Sequence, residues 1–213
     1  MRIKVCGLTK EEQAVTLGDM GVSFGGFIFY PKSPRYALKE ITKEQIRKIN
    51  NINKVGVFVN APADYLLRTV DECRLQAVQL HGDETPRYCD RISNYISVIK
   101  AFGVGGLLPV ETYINEYADV VDLFLFDTSS AGYGGSGKKF NWGLLKNITV
   151  NKPFLLSGGI GPDDINEIKK FAEEPVAKDL FAVDINSRFE ISPGIKDLQL
   201  IKEFLVQLNK TNL

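Results

Sequence analysis

The residues able to do chemistry stand in short groups, and each group follows an apolar run. Cys6-Gly7 closes the run at 3–6, and Pro31-Lys32-Ser33-Pro34-Arg35-Tyr36 follows the run at 24–30. His81-Gly82-Asp83 follows 77–80, Asp127-Thr128 follows 121–126, and Ser157-Gly158-Gly159-Ile160 follows 154–156. Asp184, Asn186 and Ser187 lie across the end of the run at 181–185. The set offers a thiol, carboxyl groups, a guanidinium and an imidazole for proton transfer and anion binding. The turn from Ser157 to Gly161 lacks bulky side chains, so its backbone N–H groups can approach an anion. Asn186 and Ser187 can close on the same anion, and a phosphate is the expected occupant. Taken singly, each residue has a plainer use. Cys6 would be an inert core thiol, Asp127 a turn cap, Arg35 the partner of a surface carboxylate, and His81 a satisfied loop residue.

Composition removes several classes of function. The 213 residues carry 26 Lys+Arg against 26 Asp+Glu, so there is no basic footprint of the kind nucleic-acid binding leaves. Three cysteines, Cys6, Cys73 and Cys89, form no CxxC pair and predict reduced thiols in a cytoplasm. With the single histidine, His81, they make no familiar zinc spacing. No window approaches the roughly 20 apolar residues of a membrane span, and the first residues do not read as a signal peptide. The Gly-rich segment 131–139 contains no GxxxxGK[ST], so it is not a nucleotide-binding P-loop. It reads either as a surface loop or as a lid over substrate.

The elements that must position these groups follow a rhythm. Eight short apolar runs, at 3–6, 24–30, 54–59, 77–80, 96–101, 121–126, 154–156 and 181–185, are partly β-branched, as strands covered on both faces are. Helical patterns fall between them. Thr9-Lys10-Glu11-Glu12 and Thr42-Lys43-Glu44-Gln45 both read as capping boxes. Pro62 and Pro162 sit where a first helical turn tolerates them, and Leu198, Ile201, Phe204, Leu205 and Leu208 form a stripe on a last helix. Between the fifth and sixth runs only 110–117 is a candidate helix. Eight units of about 27 residues would fill the 213. The fold class is α/β, predicted as a single (β/α)₈ TIM barrel occupying 1–213. An open doubly wound sheet is the rival. In a barrel the active site lies at the C-terminal strand ends, where the polar groups above already stand.

Those groups, in order, resemble one family. Lys4-Val5-Cys6-Gly7-Leu8-Thr9, Pro31-Lys32-Ser33-Pro34-Arg35-Tyr36, Val78-Gln79-Leu80-His81-Gly82 and Phe126-Asp127-Thr128 look like the motifs of phosphoribosylanthranilate isomerases. So do Gly134-Gly135-Ser136-Gly137, Leu156-Ser157-Gly158-Gly159-Ile160, Asp184-Ile185-Asn186-Ser187 and Pro193-Gly194-Ile195-Lys196-Asp197. The resemblance implies a barrel enzyme of tryptophan biosynthesis that needs no cofactor and no metal. Its partner is a small phosphorylated substrate, not nucleic acid or membrane, and the chain would be a monomer or a homodimer. By resemblance Cys6 is the general base and Asp127 the general acid. Cys6 must then be partly thiolate, although a free thiol near pKa 8.5 is mostly protonated at neutral pH. Asp127 must be kept protonated, since an ordinary Asp near 3.9 is ionised. Arg35 would bind the anthranilate carboxylate, an anion suited to its fork. Gly158, Gly159, Asn186 and Ser187 would cradle the phosphate. His81 would lie on the rim near substrate without an assigned catalytic role. Asp184 belongs to the same substrate-binding group. Because a carboxylate beside a phosphate repels it, Asp184 is expected to orient the loop through hydrogen bonds.

Three positions depart from the family pattern: Asn141, where Asp is frequent, Ser136, where Thr is frequent, and Arg188, where Gly is common. Arg188 raises the question of loop backbone, since Gly permits a positive φ and Arg rarely does. Two other phosphate-binding barrels are rival readings, the histidine-pathway isomerase and indole-glycerol-phosphate synthase. Their expected paired Asp residues or Lys and Glu at strand ends are not seen. A catalytically silent phosphate-binding barrel is a third reading, disfavoured by intact Cys6 and Asp127.

Overall fold

A computed structural model of the chain describes all residues except 106–109, 129–139, 147, 149, 151 and 211–213, and the side chains of 112 and 113. Eight parallel strands close into a barrel in sequence order. They are β1 (Arg2–Cys6), β2 (Phe24–Ile28), β3 (Asn53–Phe58), β4 (Ala77–Leu80), β5 (Ser97–Val104), β6 (Leu123–Thr128), β7 (Phe154–Leu156) and β8 (Leu180–Ile185). The ring closes where β1 pairs with β8, at rungs that include Lys4 opposite Asp184. The open sheet is thereby excluded, and all eight predicted runs are strands. β5 extends three residues beyond its apolar run, because Phe102 and Val104 continue the buried alternation alongside β6.

The outer layer holds α1 (Glu11–Asp19), α2 (Lys43–Lys48), α3 (Ala63–Cys73), α4 (Pro86–Ser93), α5 (Glu111–Tyr117), α6 (Ile165–Ala172) and α7 (Leu198–Asn209). Between β6 and β7 the described residues contain a 3₁₀ turn, Trp142–Leu145, in place of the expected eighth α-helix. Asn141 caps that turn by accepting from the Gly143 N–H at 2.9 Å, a role for which its amide oxygen suffices. After β8 comes a short antiparallel hairpin, β9 (Glu190–Ser192) and β10 (Ile195–Lys196).

One of the two predicted capping boxes forms. Thr42 accepts from the Gln45 N–H at 3.2 Å, and Gln45 Oε1 accepts from the Thr42 N–H at 3.0 Å. The box at Thr9 does not form. α1 starts from Lys10 with no side-chain cap, and the buried Thr9 hydroxyl donates instead to the Gly194 carbonyl at 2.7 Å. Anchoring the hairpin takes the hydroxyl that capping would need.

Strand periodicity divides the core into two layers. Outward side chains such as Val5, Phe27, Phe58, Val78, Phe126 and Val183 pack under the helices. Inward ones, Val55, Ile99, Ala101, Leu125, Leu155 and Ala182, fill the barrel's middle as a separate apolar plug. The same inward parity carried one step up the strands places Cys6, Val57, Asp127 and Asp184 at the C-terminal mouth. Leu125 is fully buried in this plug. Leu125→Ala is expected to lower the unfolding free energy by about 2–5 kcal/mol, read from urea denaturation. A loss near zero would mean that the plug is not closely packed.

Candidate active site

The mouth of the barrel is a cavity of about 430 Å³. All nine site residues expected from the sequence converge there: Cys6, Arg35, His81, Asp127, Gly158, Gly159, Asp184, Asn186 and Ser187 line it.

Cys6 ends β1 and is buried, with its side chain turned inward. The room it occupies is left by β2: a Cβ on Gly26 would lie 2.9 Å from Cys6 Sγ. Burial pushes the thiol above its ordinary pKa, against the pull of the Lys4 ammonium; Asp184 adds to the rise and Lys196 opposes it. Lys4 itself is fully buried and donates to Asp184 Oδ1 at 2.9 Å. Burial alone would lower the Lys4 pKa, but the charges of Asp184 and Cys6 reverse this and keep the amine protonated. Cys73 and Cys89 are different. They lie in α3 and α4, and burial pushes each thiol up to about 11.

Asp127, near the end of β6, accepts from the Thr128 N–H at 2.7 Å through Oδ1. Its Oδ2 lies 3.4 Å from His81 Nε2. The imidazole is held from behind by Gln79, whose Nε2 is 2.6 Å from His81 Nδ1. In this orientation Nδ1 accepts, so Nε2 carries the hydrogen that faces Asp127. Gln79 Oε1 is buried without a hydrogen-bond partner among the described residues. His81 therefore acquires a defined place, as the group between Gln79 and Asp127.

Asp184 lines the same cavity. Its carboxylate is committed to Lys4, with Ser157 Oγ at 3.3 Å as a second donor. It thus ties the glycine turn to the barrel interior through Ser157 while its charge is met by an ammonium.

The turn after β7 has two successive positive-φ residues, Gly158 at +91° and Gly159 at +66°. A side chain at 158 is doubly opposed, since a Cβ there would lie 2.5 Å from Thr128 Oγ1 and 3.1 Å from Asp127 Oδ1. The bare backbone leads into a 3₁₀ turn, Pro162–Asp164, and then α6, whose N-terminal field favours an anion. Asn186 Oδ1 accepts from Lys196 Nζ at 2.8 Å, so its amide is pinned at the cavity edge. Arg188 is exposed and its backbone is not in the left-handed region, so replacing a glycine there requires no strain. Its guanidinium lies beside Gly161.

Arg35 reaches the cavity but is already occupied on one edge. Nε and Nη2 donate to the Glu190 carboxylate at 2.7–2.9 Å. Glu190 also accepts from Lys196 Nζ at 2.7 Å. Burial would push the Glu190 carboxyl up; hydrogen bonds from Arg35 and Lys196 outweigh it and hold the group ionised. Sequence reading missed Lys4, Gln79, Glu190 and Lys196. Each lay inside or near a recognised motif, and inward parity on β1 would have marked Lys4. The Gly-rich segment 131–139, with Ser136 in it, lies outside the described residues. Among the described residues there is no cluster of three metal-ligating side chains, and no helix is long and apolar enough to cross a membrane.

Comparison with known proteins points the same way. The model of the family described as N-(5'phosphoribosyl)anthranilate (PRA) isomerase matches residues 3–207. The chain is 38% identical to an N-(5'-phosphoribosyl)anthranilate isomerase of Parabacteroides distasonis, over 98% of this chain and 93% of that one. The crystal structure of a phosphoribosyl anthranilate isomerase from Thermotoga maritima superposes with a TM-score of 0.83 at 36% identity, covering 98% of both chains. Another isomerase structure, solved in complex with reduced 1-(o-carboxyphenylamino)-1-deoxyribulose 5-phosphate, gives 0.78 at 33% identity over 98% of both chains. With the barrel closed, the polar groups gathered at its mouth and the match spanning nearly every residue, the chain belongs to the N-(5'-phosphoribosyl)anthranilate isomerase family.

Proposed function

We propose that this chain isomerises N-(5-phosphoribosyl)anthranilate to 1-(2-carboxyphenylamino)-1-deoxyribulose 5-phosphate, a step of tryptophan biosynthesis. One observation carries the reading: Cys6 and Asp127 face a single cavity from β1 and β6, with the Gly158-Gly159 turn at the same mouth. The barrel strands run from residue 2 to 185 and α7 reaches 209, which supports reading 1–213 as one barrel domain.

Asp127 protonates the furanose ring oxygen. The bond from that oxygen to C1 breaks and leaves a protonated Schiff base between C1 and the anthranilate nitrogen. Cys6, as thiolate, removes the proton at C2. The electron pair forms the C1–C2 double bond, and the C=N pair returns to nitrogen, giving an enolamine. Tautomerisation adds a proton at C1 and removes one from the C2 hydroxyl. C1 is reduced, C2 is oxidised, and no electron leaves the molecule. The two protons exchanged in the last step restore the acid and the base.

The remaining residues bind and orient. The backbone amides of Gly158 and Gly159, with Ser187 and Asn186, surround the phosphate. The edge of Arg35 not taken by Glu190 receives the anthranilate carboxylate. His81, held by Gln79, contacts Asp127 and keeps the acid aimed at the ring oxygen. Asp184 acts through Lys4 and Ser157 and makes no contact with the phosphate.

Generating the substrate in situ and following its loss of fluorescence tests the reading, and no acceleration by purified protein would sink it. Cys6→Ala and Asp127→Asn are each expected to lower kcat at least ~10²-fold, whereas Arg35→Ala should mainly raise KM. Near-normal kcat in Cys6→Ala would remove it as the base. Gly158→Ala must strain a backbone at +91° and is expected to lower the unfolding free energy by about 1–3 kcal/mol while raising KM. Because burial raises the Cys6 pKa, its base form grows as pH climbs through and above the ordinary thiol range. Initial rates from pH 6 to 10 should therefore rise toward the alkaline side, and a flat profile would exclude Cys6 as the titrating group.

A further inference from the structure

The most completely buried charged residue among the described residues has no part in the mechanism above beyond holding Asp184. Lys4 is 0% exposed and sits two residues before Cys6 on β1, so both side chains point into the barrel. Opposite it on β8, Asp184 Oδ1 lies 2.9 Å from Lys4 Nζ. The ammonium is thus paired with an anion, and the thiol it also acts on is the next side chain along the same face of the strand. A buried ammonium is costly to keep, and a pair replaced by apolar side chains is often no less stable. A structural pair would satisfy β1 and β8 equally well further from the thiol.

We propose that Lys4 is the positioning residue that makes Cys6 a base, its ammonium shared between Asp184 and the Cys6 sulfur so that it holds the thiolate once the proton has left. This rests on the reading of Cys6 as the base. Before substrate binds, the thiol proton goes to solvent through the open mouth, and the sulfur keeps its electron pair against the Lys4 ammonium. When the thiolate takes the C2 proton, the ammonium returns to Asp184. Asp184 then sets how much of the ammonium the thiolate obtains.

The other groups facing this trio are few. On β10, Lys196 faces Cys6 but is engaged by Glu190 and Asn186. From β6 and the end of β4, Asp127 and His81 face Asp184. On β2 the neighbour is Gly26, which carries no charge. Lys4 is therefore the cation that acts most strongly on the thiol, and Asp184 is its one ion-pair partner among the described residues. Burial works against the thiolate, and Lys4 is the largest opposing influence.

The test is the pH profile of Cys6 alkylation by iodoacetamide, read by mass spectrometry of the Cys6 peptide so that Cys73 and Cys89 do not contribute. Lys4→Met should move the midpoint up by about one pH unit or more, equivalent to at least about tenfold less thiolate at neutral pH. Asp184→Asn leaves the ammonium to the sulfur alone and should move the midpoint down. Opposite shifts are not expected from two variants that merely loosen the barrel. An unchanged midpoint in folded Lys4→Met, or shifts of the same sign in both variants, overturns the proposal. If Lys4→Met does not fold, Asp184→Asn decides alone: a lower midpoint supports the proposal, and an unchanged or higher one overturns it. Lys4→Arg, which restores the cation, should return the midpoint toward that of the parent. Alkylation involves no substrate, so its outcome is independent of whether the fluorescence assay succeeds.

Discussion

A pair of opposite charges sealed inside the barrel, Lys4 on β1 and Asp184 on β8, is the constraint on which the site depends. The two residues are opposed at the seam where the eight-stranded ring closes. Taking two ions out of water costs several kcal/mol each, and their attraction offsets this only in good geometry. Strand register is therefore not free. A one-residue slip of β1 would send Lys4 and Cys6 out under the helices and bring Val5 into the mouth. The same rung that closes the barrel thus aims the thiol, and Ser157, bonded to Asp184, carries the constraint on to the glycine turn after β7.

Crowding is the second constraint, and glycine answers it where the site is tightest. Gly26 leaves the volume that Cys6 fills. Gly7, at φ +78°, brings the chain past Arg35 and Asn186, each 2.8 Å from where its Cβ would be. Gly158 passes between Thr128 and Asp127. In each case a missing side chain lets a functional group from another strand end approach closely. The wall of the cavity is consequently built from backbone on one side and from side chains fixed by ion pairs on the other. That combination holds geometry without needing bulk.

The strands were legible because doubly covered β-branched runs differ from everything around them, and the site because its residues sit at the ends of those runs. What was hidden depends on distance along the chain. Thr9 has the sequence of a cap, but a carbonyl 185 residues away takes its hydroxyl. Glu190 reads as one more surface carboxylate until Arg35, 155 residues earlier, is seen bonded to it. Lys4 reads as the polar member of an alternating strand, and in a half-exposed sheet it would face water. Only closure of the barrel turns that face inward and makes its charge a partner for Asp184. The overrun of β5 to Val104 was masked by Gly103, which a strand can contain when its neighbour supplies the pairing.

A chain with no net charge must hold an anionic substrate with local fields. Arg35 and Lys196 share the single carboxylate of Glu190, so this cluster carries one excess positive charge. Lys4 and Asp184 cancel, leaving the barrel floor neutral. The excess therefore lies at the side of the cavity reached by Arg35, not under the glycine turn. On the proposed function, two anionic ends of one substrate would meet different chemistry: a guanidinium whose plane is fixed by Glu190, and backbone amides whose direction is fixed by positive φ. Glu190 weakens the charge of Arg35 but removes its rotamer freedom in advance, so less ordering would remain to be done if Arg35 receives the carboxylate as proposed. The arrangement exchanges some attraction for orientation, which suits the proposed pair of proton transfers, in which the sugar would lie in one place between Cys6 and Asp127.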